Sequence, residues 1–90
     1  MSEQQIPAAS FEMLVSMLAS QAMVAMGVLT IPGQPKQEPN LEIAQHLIDL
    51  LNVLEEKTQG NLSDTEKAAL EQTLYQVRLT FVGAKEYAKK

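Results

Sequence analysis

From Met13 to Ile31 the chain reads MLVSMLASQAMVAMGVLTI, a run without one charged side chain. A helix that is apolar nearly all round fits only two environments, a bilayer or a protein interior that covers it on most sides. The length suits a span, which needs about 20 apolar residues. One reading is therefore a membrane-anchored small protein that uses residues 13–31 as its span. The flanks oppose it: no Lys or Arg borders the run, Glu12 sits at one end, and neither end carries the Trp or Tyr enriched at membrane interfaces. The opening MSEQQIPAASFE holds Glu3 and Glu12 and no base, so it lacks the positively charged start of a secretory signal. The expectation is a cytoplasmic protein in which this segment is buried.

Burial is difficult for a chain of 90 residues. A single domain near this size hides only about 60% of the surface its unfolded chain exposes, so it is marginal without disulfides, metal or a partner chain. With no cysteine, disulfides and thiolate metal sites are excluded, and a partner chain remains. A net charge of -4, with seven basic residues scattered between Lys36 and Lys90, argues against nucleic acid, whose phosphates need clustered Lys and Arg. An anionic membrane surface is disfavoured for the same reason.

Local signals predict an all-α chain of three helices. Residues 1–9 read as a polar, disordered tail, and Ser10 can cap a helix over about 11–28. The connection 31–40, IPGQPKQEPN, cannot propagate a helix through Pro32, Pro35 and Pro39. Asn40 caps a second helix, about 41–58, and Gly60 supplies the left-handed residue that ends it. Ser63 and Glu66 have the spacing of a capping box for a third helix over about 64–82. Residues 10–84 make one helical domain, with helices 2 and 3 an antiparallel hairpin, and 85–90 form a basic C-terminal end.

Side chains placed at about 100° per residue reveal surplus apolar surface. Helix 2 is amphipathic, with Ile43, Leu47, Leu50, Leu51 and Leu54 opposite Glu42, Gln45, Asp49, Asn52 and Glu56. Helix 3 has two stripes, Leu70, Leu74, Val77 and Phe81 against Ala68, Tyr75, Leu79 and Val82, too far apart for one core. Helix 1 is apolar on both its Phe11–Leu18–Ala22 and Met13–Met17–Val24 sides. A largely buried helix 1, completed by oligomerisation and most simply by a dimer, covers all of these surfaces. The expected interface residues are Met13, Met17, Ser20, Val24, Val28, Tyr75, Leu79 and Val82. Around Ser16, Ala19, Ser20 and Met23 the small side chains either tolerate a crowded interior or allow a close self-contact.

Chemistry is sparse. His46 and Asp49 share a side of helix 2 and are the candidate metal ligands, but Glu42, Asp49 and Glu56 lie about 10 Å apart along the axis, so one chain cannot gather two of them on one ion. A solvated polar face bordered by a histidine explains the same pattern. With one histidine and no cysteine, no nucleophile and base pair stands out, and the four glycines make no phosphate-cradling loop. No catalytic residue and no cofactor is expected.

The string HLIDLLNVLEEKTQGNLSDTEKAALEQTLYQVRLTFV, His46 to Val82, preceded by FEMLVSMLASQAMVAMG, resembles the bacterial family catalogued as domain of unknown function 1844. The resemblance runs from Phe11 to Val82, and its most specific piece is IDLLNVLEEKTQGNLS, Ile48 to Ser63, where a helix end, a Gly-Asn break and a new cap follow in fixed order. It implies a small, soluble, helical bacterial protein with no assigned activity. Together these features lead to the expectation of a homo-oligomeric scaffold or protein-interaction module, with an unidentified protein as a second candidate partner. A metal-dependent activity around His46 and Asp49 is the remaining alternative.

Overall fold

Three short polar side chains start the three helices. The computed structural model describes residues 8–30, 32–34 and 38–88, and among them the elements are α1 (Phe11–Ala25), α2 (Leu41–Lys57) and α3 (Asp64–Ala88), with no strand. The Met13 N–H donates to Ser10 Oγ and the Ile43 N–H to Asn40 Oδ1, each at 3.1 Å. Ser63 and Glu66 close the reciprocal box, Ser63 N–H to Glu66 Oε1 at 2.9 Å and Glu66 N–H to Ser63 Oγ at 3.1 Å. Each bond satisfies an amide that a helix start leaves without an internal partner.

The helix ends depart from the periodicity. α1 stops at Ala25 instead of about Val28. Gly27 takes φ +83°, its N–H donates to the Val24 carbonyl at 3.0 Å and the Val28 N–H to the Met23 carbonyl at 3.1 Å, the paired bonds of a Schellman end. The connection then closes on this end: the Asn40 N–H donates to the Ala25 carbonyl at 2.6 Å, and a Cβ built on Gly27 would lie 2.9 Å from Pro39 Cγ. α3 continues beyond Val82 through Gly83 to Ala88. Its extra turns are held by Phe81 and Ala84, which pack on the core, and by Lys85 Nζ, 5.6 Å from the centre of the Phe81 ring. Lys85 is thus helical instead of part of a separate basic end. The expected tail falls largely outside the described residues, as do Lys89 and Lys90.

The core has two parts that together fix the topology. Ala22 of α1 and its C-cap Met26 meet Ala44, Leu47 and Ile48 of α2 and Val77 of α3, while Val15 meets Leu51, Leu70 and Leu74. The start of α2 therefore lies beside the end of α1 and the later half of α3, so α2 runs antiparallel to both neighbours. Between α2 and α3, Thr58 donates its hydroxyl to the Leu54 carbonyl at 2.6 Å, the Asn61 N–H donates to the Thr58 carbonyl at 2.9 Å, and Gly60 takes φ +82°. Leu62 then folds into the second cluster. The distinctive EEKTQGNLS string is the hairpin itself.

Candidate interaction surfaces

The structure is only 16 Å through its thinnest axis. Helices pack about 8–10 Å apart, so the slab has room for no more than two layers and every helix keeps an open side. Among the described residues no polar or charged side chain is buried. Every titratable side chain among the described residues is therefore at least partly exposed.

Two apolar faces remain open. Tyr75, Leu79 and Val82 form the first, on the side of α3 away from its core stripe, with Tyr75 63% and Leu79 56% exposed. The second spans two helices. Arg78 Nη2 bonds Asn52 Oδ1 across the outside of the α2–α3 seam, and Ala19 and Met23 line the α1–α3 groove with Ala69, Thr73 and Val77. Those contacts fix where α3 lies against each neighbour. On the opposite flank of the α1–α2 pair stand Leu14 and Met17 of α1 and Ile43, Leu50 and Val53 of α2, all exposed, Met17 by 50% and Ile43 by 51%.

The eight expected interface residues therefore divide. Met13, Met17, Ser20 and Val24 lie on the outer side of α1, with Met13 and Val24 half-buried. Tyr75, Leu79 and Val82 lie on α3, outside the α1–α2 face. Val28 falls beyond the end of α1, on the rim of an apolar groove of about 770 Å³ with Met26, Pro39, Thr80 and Tyr87. Sequence reasoning missed Ile43, Leu50 and Val53. It placed Ile43 and Leu50 on the core side of α2, whereas Ala44 and Ile48 occupy the core and turn those two outward. Their signal was present as a second rhythm, Ile43, Leu50 and Val53 at spacings of seven and three. The small-residue patch is divided as well: Ala19 and Met23 face α3, and Ser16 and Ser20 are exposed.

The candidate metal ligands are both exposed, and the Asp49 carboxylate accepts from Gln45 Nε2 at 2.9 Å. Among the described residues no group of three or more His, Cys, Asp or Glu side chains is placed to hold a metal ion. The span reading is corrected. No helix among the described residues is long and apolar enough to cross a membrane. The 15 residues of α1 rise about 22 Å, short of the roughly 30 Å hydrocarbon layer, because Gly27 and Pro39 end the helix first. Beside the hairpin turn, Glu55, Thr58, Gly60, Leu62, Asp64 and Lys67 line a depression of about 420 Å³.

The sequence model of the family described as Domain of unknown function (DUF1844) matches residues 8–83. No curated protein and no solved structure matches the chain.

Proposed function

The chain belongs to the DUF1844 family, and from that premise and the open surfaces we propose that it is a homo-oligomeric scaffold or protein-interaction module without catalytic activity, a dimer in its simplest form and resident in the cytoplasm. The observation that carries this reading is apolar surface left open on all three helices: Leu14 and Met17 on α1, Ile43, Leu50 and Val53 on α2, Tyr75, Leu79 and Val82 on α3. Scattered exposed hydrophobics are ordinary, but contiguous patches mark interaction sites. Five of these side chains share one face across two helices.

Burying that face removes it from water at about 25 cal/mol per Å², and dimerisation supplies the cover that a chain this small cannot generate internally. Light scattering on the purified chain tests the reading. A mass of twice 9.9 kDa, or a higher multiple, is the expected result, and a monomer at every concentration overturns it. Cell fractionation checks the compartment, with recovery in the soluble cytoplasmic fraction expected.

A further inference from the structure

We infer that a second copy of this chain docks on the outer face of the α1–α2 seam, with α1 of one copy against α2 of the other, and that the α3 stripe stays outside this contact. The inference rests on the self-association proposed above and names its surface and pairing.

Rhythm, charge and area support it. Along α2 the exposed residues Ile43, His46, Leu50, Val53 and Lys57 recur at alternating spacings of three and four, the seam pattern of packed helices. One flank of this seam is Leu47 and Leu54, which are already buried or half-buried within the chain. The other flank is Glu42, Asp49 and Glu56, all exposed.

Charge then selects the partner helix. Laid antiparallel on its own copy, α2 would set carboxylate flank against carboxylate flank, and such like-charge contacts in an interface are costly. Laid parallel, it would need Leu47 and Leu54, which α1 and the core already occupy. α1 has no such conflict. From Met13 to its end at Ala25 it carries no charge at all, and its outer side offers Leu14, Met17, Ser20 and Gln21. An acid-flanked helix can approach it without repulsion, so α2 lies on the partner's α1 and the reverse contact follows from two-fold symmetry.

Area favours the same face. The 17 residues of α2 rise about 26 Å, and two helices side by side at about 10 Å make a face roughly 20 Å wide. The flat footprint is roughly 500 Å² before side-chain relief, of the same order as the ~800 Å² that one partner contributes to a standard interface. The α3 stripe is one helix wide, and Glu86 continues it beyond Val82 with a charge.

Light scattering on charge variants tests the face. Leu50→Lys and Met17→Lys should each weaken association by about 100-fold or more, because either substitution replaces an apolar contact at the centre of the face with a charge that must be desolvated there, with helical circular dichroism retained because both sites are partly open in the single chain. Leu79→Lys should leave the dimer unchanged. If Leu79→Lys dissociates a wild-type dimer, or if Leu50→Lys and Met17→Lys both leave it intact, the face is wrong while self-association stands; a monomeric wild type removes both. Pairing is tested by thiol crosslinking, which is clean because the chain has no cysteine. A mixture of Met17→Cys and Leu50→Cys chains should crosslink faster than Leu50→Cys alone, after correction for mixing, and equal rates overturn the α1-on-α2 arrangement.

Discussion

Gly27 and Gly60 share nearly the same backbone, φ +83° and +82°, yet their surroundings differ. A left-handed conformation costs an L-residue about 1–2 kcal/mol, and at Gly27 a methyl group would also meet Pro39 at 2.9 Å, whereas at Gly60 nothing lies within 4 Å. Gly60→Ala should therefore cost about 1 kcal/mol and Gly27→Ala about 2–3 kcal/mol, read from urea unfolding at one fixed protein concentration. Equal losses would show that Pro39 does not press on α1. Among apolar residues Leu51 is the most telling, since it is fully buried in the second cluster between Val15, Leu70 and Leu74. Leu51→Ala should cost about 2–5 kcal/mol by the same measurement, the largest loss of these three.

Helix starts and stops obey different controls. The capping box that opens α3 is exposed and local, so Ser63→Ala should cost about 1 kcal/mol without altering the proposed self-association. Gly83 sits within α3 with open space where a Cβ would go and no positive φ. Gly83→Ala should stabilise the fold by about 0.5–1 kcal/mol, opposite in sign to the same change at Gly27. Thermal unfolding of the two variants side by side checks the contrast. All three helix starts were legible because a cap acts within three or four residues of chain. The end of α1 was less so, because Gly27 acts as a terminator where Pro39 and Asn40 return to it.

For the molecule as a whole, thinness governs behaviour. A slab 16 Å thick shares little interior among three helices, so in the proposed dimer part of its stability should come from the second copy. Linkage then makes the melting temperature rise with protein concentration, by about a few degrees per tenfold for a domain this small. Calorimetry over two decades of concentration checks this, and a constant melting temperature would separate folding from association. Leu79→Lys should keep the concentration dependence and Leu50→Lys should abolish it.

The all-α class, the three caps, the hairpin at Thr58–Ser63 and the surplus apolar stripe of α3 follow from the order of residues, because each depends on neighbours a few positions apart or on the fixed angular step of a helix. Which rows of α1 and α2 turn inward does not. α2 has apolar side chains over a wide arc, from Val53 and Leu50 through Ile43 and Leu51 to Ile48, and several orientations would bury a comparable number. Only the simultaneous presence of α1 and α3 selects Ala44, Leu47, Ile48 and Leu51, since the two small alanines at Ala22 and Ala44 let the helices approach closely and carry Ile43, Leu50 and Val53 to the outside.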